Sequence, residues 1–90
     1  MKLNLDKNLI GLKGEPINEK LSDILANMLA MSTTGQPAKM ITWAVNLTNH
    51  GEIEVNEEDI KLIKQVVEND RFTINLAKAQ ILEELDKLIE

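Results

Sequence analysis

The chain has 90 residues, of which 43% are hydrophobic and 28% charged, and its formal net charge at pH 7 is −5. This length suffices for one domain with one core, which we expect to span residues 1–90, and the composition is too apolar for a disordered segment. The absence of cysteine excludes disulfides, thiolate metal sites and a cysteine nucleophile.

Residue types and their distribution restrict the class of protein further. The chain contains one Trp, one Phe and no Tyr, so the core must be aliphatic, which suits packed helices better than a β-sandwich. Basic residues are interleaved with acids, which disfavours direct binding to DNA or RNA. The first six residues lack the apolar run of a signal peptide, and no segment approaches the roughly 20 apolar residues of a membrane span. We therefore expect a cytoplasmic protein without membrane association.

The first 17 residues contain two short extended patterns. Leu3 and Leu5 alternate with polar residues, which is the period of a strand. Residues 9–17 predict a β-hairpin, because Gly14 can take the positive φ of a tight turn and Pro16 cannot donate to a sheet ladder. A lone hairpin is marginal in water, so we expect it to lie against the helices or to pair with another strand.

Two helices are predicted next. The first spans residues 19–31, with Asn18 as its N-cap. Its apolar residues at helical spacing are Leu21, Ile24, Leu25, Met28 and Leu29. The second begins at Pro37, because the first turn of a helix does not need the N–H that proline lacks. It ends at Gly51, because glycine readily takes the left-handed conformation that follows a helix. Its expected buried face consists of Met40, Ile41, Ala44, Val45, Leu47 and Thr48.

A short strand and a capped helix are predicted after Gly51. Residues 52–55 alternate between acidic and apolar side chains, which indicates a strand that could pair with the hairpin. Asn56 and the three carboxylates after it are typical of a helix start, because they oppose the positive end of the helix dipole. The expected buried residues of this third helix are Ile60, Leu62, Ile63, Val66 and Val67. The expected i,i+4 ion pairs on its exposed side are Glu57/Lys61 and Lys64/Glu68.

The fourth helix is predicted from Thr73, as its N-cap, to about Leu88. Phe72 before the cap and Ala77 inside the helix have the spacing of a hydrophobic staple. Leu76 and Leu88 lie outside the main apolar stripe of this helix. Leaving them exposed to water is unfavourable, which indicates that a partner covers them. Self-association is the simplest version of that hypothesis.

These elements predict a mainly α fold with a minor β component. An N-terminal β-hairpin is followed by four helices, and a short strand lies between helices 2 and 3. The whole chain forms one compact domain.

Five apolar residues are candidates for a partner-binding surface. Methionine side chains adapt to different partners, and tryptophan is enriched in binding hot spots, although the same residues often fill gaps between helices. The candidates are Met40, Trp43, Leu76, Leu85 and Leu88.

No group of residues predicts catalysis or cofactor binding. His50 is the only histidine, and the spacing holds no nucleophile or carboxylate against it. Residues 57–59 are consecutive carboxylates, which point about 100° apart on a helix and do not converge on one metal ion. We therefore expect no enzymatic activity, no cofactor and no metal site.

Residues 46–57 partly resemble a calcium-binding helix–loop–helix. Counted from Asn46, Gly51 and Glu57 fall where such a loop needs Gly and a bidentate Glu. Calcium also needs carboxylates near the start of the loop, where this chain has none. The spacing disfavours calcium, and an ion-binding module at residues 46–57 stays an alternative.

Three segments carry a resemblance to known proteins. Residues 8–17, the helix with Leu25-Ala26-Asn27 and residues 76–83 are similar to small proteins of tailed phages and prophages. The likeness spans most of the chain. That family has no established activity, so it supplies no catalytic residue, and it implies a cytoplasmic, phage-encoded accessory or assembly factor.

The favoured hypothesis is a non-enzymatic protein-interaction module that works through a protein partner or through self-association as a homodimer. The alternatives are the ion-binding module and an acidic accessory protein that acts on a nucleic-acid-processing partner.

Overall fold

The computed structural model describes residues 1–89, which form four short strands and four helices. In chain order the elements are β1 Lys2–Asn4, β2 Asn8–Ile10, β3 Pro16–Lys20, α1 Leu21–Met31, α2 Pro37–His50, β4 Glu52–Glu54, α3 Glu57–Asn69 and α4 Asn75–Ile89. The predicted fold class, mainly α with an N-terminal hairpin and a strand between helices 2 and 3, is confirmed.

The strands form two separate antiparallel pairs, β1 with β4 and β2 with β3. Leu3 lies opposite Ile53, and both side chains are buried on the same face of the first pair. The Val55 N–H donates to the Met1 carbonyl over 2.7 Å and extends this pairing. The prediction that residues 52–55 pair with the hairpin is wrong. The strand β4 pairs with β1, and this register places the buried Ile53 opposite the buried Leu3.

The hairpin is longer than predicted, and it moves the start of α1. Asn18 lies within β3 and is therefore not a helix cap, and α1 begins at Leu21. The residue before the helix, Lys20, makes no side-chain capping hydrogen bond. Backbone carbonyls replace the cap, because Leu21 and Ser22 donate their N–H groups over 3.0 Å to the carbonyls of residues 7 and 5.

The helix α2 buries a different face from the predicted one. Ile41 and Val45 are 48% and 49% exposed, and Thr48 is also exposed. The buried residues are Met40, Trp43, Ala44 and Leu47. They follow the i, i+3, i+4, i+7 spacing of one helix face. Trp43 therefore lies on the buried face, in place of Ile41 and Val45, which were predicted to be buried.

The helix α3 begins at the predicted cap. The Asn56 side chain accepts the Asp59 N–H over 2.8 Å, and the Asp59 carboxylate accepts the Asn56 N–H over 3.0 Å. This reciprocal capping box satisfies two backbone donors at once. The ion pair predicted between Lys64 and Glu68 is wrong, since Lys64 binds Asp86 of α4 and so links two elements.

The helix α4 begins at Asn75, two residues after the predicted cap. The predicted staple is wrong, because Ala77 is buried whereas the Phe72 side chain is exposed. Leu76 and Leu88 are half-buried and pack against the core, so the main apolar stripe of α4 is wider than predicted. The core side chains of this helix are Ala77, Ile81 and Leu85.

An amide side chain attaches α4 to the outer edge of the hairpin. Gln80 accepts the Ile10 N–H over 3.0 Å and donates to the Ile10 carbonyl over 2.6 Å. The two bonds reproduce the pairing that a neighbouring strand would supply. This edge of β2 is therefore occupied, which opposes pairing with another chain there.

Candidate interaction surface

Most of the predicted partner-binding residues lie in the interior. Met40, Trp43 and Leu85 are buried core residues, and Leu76 and Leu88 are half-buried against the same core. The first two belong to α2 and the leucines to α4. In this conformation Met40, Trp43 and Leu85 pack within the chain, and at most 6% of each residue is exposed.

Trp43 belongs to a link between α2 and α3. The Lys39 ammonium lies 5.0 Å from the centre of the indole ring and 2.6 Å from the Asp59 carboxylate. One cation thus contacts an aromatic face and the capping carboxylate of the next helix. Burial raises the pKa of the Asp59 carboxyl, but the hydrogen bonds from Lys39 and Asn56 outweigh it and hold that pKa below its ordinary value.

A different set of apolar side chains faces solvent. Phe72 is 86% exposed, Met31 at the end of α1 is 69% exposed, and Ile74 is 61% exposed. We call these three residues the Phe72 face. Single exposed apolar side chains are ordinary on a protein surface. Here the three share adjoining grooves.

Phe72 lines two shallow grooves, one on each side of its ring. The first has a volume of about 210 Å3 and includes Met28, Met31 and Arg71 in its lining. The second, of about 260 Å3, is lined by Leu9, Glu19, Ile24, Asn27, Phe72, Thr73, Ile74 and Ala77. The first groove takes Met28 and Met31 from α1, and the second takes Ile24 and Asn27, which precede them on the same helix, so Phe72, which lines both, lies between the two grooves. Each groove is lined by both apolar and polar side chains.

The loop that carries Phe72 is fixed by one carboxylate. Asp70 ends α3, and its N–H donates to the carbonyls of Val66 and Val67 over 3.0 and 3.3 Å. Its side chain accepts the N–H groups of Phe72 and Thr73 over 3.2 and 2.7 Å. Such an Asx-type turn directs the chain away from the helix axis. The exposed position of Phe72 is therefore held by the backbone around it.

The electrostatics of this loop follow from the same contacts. Burial raises the pKa of the Asp70 carboxyl, but the hydrogen bonds from Thr73 and Phe72, with the charge of Lys78, outweigh it and lower that pKa. The Lys78 ammonium also donates to the Asp70 carbonyl. The carboxylate thus stays ionised to lower pH than an unperturbed aspartate.

Charges of opposite sign lie on the two sides of Phe72. Arg71 lines the first groove and Glu19 lines the second. Among residues 1–89, neither side chain forms an ion pair, although many neighbouring acids and bases do. Asp70 also lines the first groove, but its carboxylate is engaged by the N–H groups of Phe72 and Thr73. The charged side chains without an ion-pair partner in the described linings are therefore Arg71 in the first groove and Glu19 in the second.

The segment that resembles a calcium loop has another geometry. Residues 46–50 belong to α2, and Gly51, with a φ of 75°, ends that helix. Ile53 is buried in β4, and Glu57 is exposed in the first turn of α3. Within the described part of the chain, no three His, Asp or Glu side chains are placed to hold a metal ion.

His50 lies exposed beside a broad open groove of about 460 Å3 between α2 and β4. The carboxylates Glu52 and Glu54 line the same groove. Glu52 is paired with Lys2, and Glu54 with the N-terminal ammonium, each at 3.6 Å. The groove gathers charged groups that already have partners, and it positions no nucleophile against the imidazole.

The Phe72 face was not predicted from the sequence. Its signal was present in the spacing, because Asp70 precedes Phe72 and Thr73 by the two and three residues that an Asx-type turn needs. The sequence around Phe72 also fits a hydrophobic staple with Ala77, and that pattern predicted a buried Phe72 ring.

Comparisons with protein-family models, with curated proteins and with solved structures found no match to this chain. No helix among residues 1–89 is long and apolar enough to cross a membrane.

Proposed function

We propose that this chain is a non-enzymatic protein-interaction module whose binding surface is the Phe72 face. The observation that carries the proposal is the exposure of a phenylalanine between two grooves on a loop that hydrogen bonds hold in place. The alternative of an ion site at residues 46–57 has no supporting cluster of ligands in the described residues.

The energetics of the Phe72 ring support binding there. Burying a phenylalanine side chain stabilises a complex by roughly 1.5–3 kcal/mol, and in the free chain this ring contacts water. Met31 and Ile74 extend the apolar area on both sides. Aromatic side chains in such positions are enriched among the residues that dominate binding energy.

The rigidity of the loop supports the same role. Ordering a flexible loop on binding costs conformational entropy, and a loop that is already ordered avoids most of this cost. The Asp70 carboxylate and the Lys78 ammonium fix the backbone on both sides of Phe72 before any partner arrives. The grooves beside the ring supply recesses into which side chains of a partner can insert.

The setting of this proposal comes from the resemblance to small proteins of tailed phages. We propose that the module acts in the host cytoplasm as a phage-encoded accessory or assembly factor. This part rests on the sequence resemblance alone.

Site-specific photo-cross-linking tests the proposed surface. A photoreactive phenylalanine analogue replaces Phe72 in one variant and Leu12 in a control, and both are irradiated in the producing cells. Leu12 is the matched control because it is apolar and 92% exposed at the hairpin turn. We expect a discrete covalent adduct from position 72 and none from position 12. Equal labelling from both positions, or none from position 72, would contradict the proposal.

A further inference from the structure

We infer that the occupant of the Phe72 face is a second copy of this chain, bound about a two-fold axis that passes beside Phe72. The inference rests on the proposed function and specifies its partner. It follows from the order of charges and apolar groups along this face.

A two-fold interface must be complementary to itself, because each surface patch meets a copy of the same patch. Arg71 and Glu19 lie on opposite sides of Phe72, since each lines only one of the two grooves. A rotation of 180° about an axis at Phe72 exchanges the two sides. Arg71 of one copy then faces the partner subunit's Glu19, and Glu19 faces the partner subunit's Arg71.

The unpaired state of these two side chains fits this arrangement. Within the described residues neither has an ion-pair partner, whereas Lys20, for example, is already bound to Asp6 at 2.6 Å. A dimer therefore gains two ion pairs without breaking any in the monomer. At the edge of an interface such pairs mainly set orientation and specificity.

The apolar centre supplies the rest of the interface. The two Phe72 rings meet at the axis, where an aromatic pair adds to the area buried. Met31 and Ile74 stand beside the ring, and the flexible thioether of Met31 can adapt to the partner ring. The patch is small and the net charge of −5 opposes association, so we expect a weak, reversible dimer of the transient class.

Sedimentation of the full chain tests the dimer. Across concentrations from about 10 µM to about 1 mM, the range for a weak interface, the average mass should rise from 10.1 kDa towards twice that value. Phe72→Ser should raise the dissociation constant about tenfold or more. Leu12→Ser, the matched control, should leave it unchanged. A monomer at every concentration, or equal effects of the two substitutions, overturns the inference.

Charge reversal tests the two-fold arrangement itself. Arg71→Glu and Glu19→Arg should each weaken the dimer, because each places two like charges together at both ends. An equimolar mixture of the two variants should restore the dimer, because every contact then joins opposite charges. Both positions are exposed, and circular dichroism checks that each variant is folded. A mixture no more dimeric than its components overturns the two-fold geometry.

The two experiments separate the inference from the proposed function. An adduct at position 72 with another protein, together with a monomer in sedimentation, supports the interaction surface and overturns the second copy. An adduct of twice the chain mass supports both. A monomer that gives no adduct at position 72 overturns both.

Discussion

Two aspartates hold the two ends of α3, and each does so through its carboxylate. Asp59 closes the capping box with Asn56 at the first turn and binds Lys39 of α2. Asp70 follows the last turn and accepts two N–H groups from the loop. In both cases burial of the carboxylate opposes ionisation, and the hydrogen bonds and cations prevail. The ionised form of each residue is therefore part of the folded structure.

The stability of the fold should decrease in acid through these two groups. Their pKa values in the folded state lie below the ordinary 3.8, so their contribution is present above that value and is lost as the pH falls through the folded-state pKa. We expect the difference in unfolding free energy between the native chain and Asp59→Asn to be largest near neutral pH and to vanish in strong acid.

Urea denaturation from about pH 6 to about pH 2 measures this difference. Glu58→Gln is the control, because Glu58 lies in the same helical turn and is exposed without an ion-pair partner among residues 1–89. A difference for Asp59→Asn that stays constant across the pH range would contradict the role given to its charge.

Among the elements, the loop between α3 and α4 has the most to do with the proposed surface. It joins α3 to α4, and the ion pair between Lys64 and Asp86 also connects these two helices. The loop carries an aromatic ring outward because its backbone donors have found a partner in Asp70. Its conformation is therefore set by the hydrogen bonds of Asp70 and Lys78 and does not depend on burial of the ring.

Asp70→Ala should loosen this loop without unfolding the core. Loss of the acceptor leaves the Thr73 N–H without its 2.7 Å bond, and a hydrogen bond to a charged group contributes enough to slow exchange about tenfold or more. We expect amide hydrogen exchange at Phe72 and Thr73 to accelerate by that factor.

The core of α3 serves as the internal reference for this measurement. Exchange at Ile63, which is fully buried, should stay slow. Asn69→Ala, one position earlier, should leave the loop amides as they are. Unchanged exchange at Thr73 in Asp70→Ala would show that the loop is held by other contacts.

At the scale of the whole molecule, the core joins residues from every helix and from both strand pairs. Leu3 and Leu9 bring the two pairs to it, and Leu25, Leu47 and Ile63 lie at its centre. The aliphatic composition suits this arrangement because side chains of similar size can interlock between helices.

The orientation of α2 in this core can be tested with two substitutions. Leu47→Ala should lower the unfolding free energy by about 3 kcal/mol, because a fully buried leucine leaves a cavity. Val45→Ala should change it by less than about 0.5 kcal/mol, because that side chain is exposed by half. Chemical denaturation compares the two, and a loss from Val45→Ala as large as that from Leu47→Ala would favour the wider buried face predicted from the sequence, which included both residues.

Local patterns in the sequence predicted local structure well. The cap at Asn56, the left-handed helix end at Gly51 and the turn at Gly14 each depend on chemistry within a few residues, and all three are present. Some errors were local, since Asn18 caps no helix and Phe72 does not pack on Ala77. Others arose where a distant partner decided the outcome. The pairing of Leu3 with Ile53 is an example, since no pattern around either residue identifies the other.

The candidate site was harder to predict for a related reason. Trp43 and Phe72 are the only Trp, Phe or Tyr residues. Trp43, a candidate for either the core or a partner surface, is buried, whereas Phe72, predicted to pack inside as a staple, is exposed. Trp43 is enclosed by its helix neighbours and by Lys39, which approaches from the same helix while bound to α3. Phe72 is excluded by a hydrogen-bonded turn. Hydrophobicity alone ranks both rings alike and cannot separate these outcomes.

The amide of Gln80 on Ile10 has a consequence for the order of events during synthesis. The two residues are 70 positions apart, so the hairpin emerges from the ribosome long before the helix that completes its edge. Until that helix arrives, β2 exposes a row of unpaired backbone groups to other nascent chains. The brevity of β2, only three residues, limits that exposure, and the contact of Gln80 with Ile10 then occupies this edge.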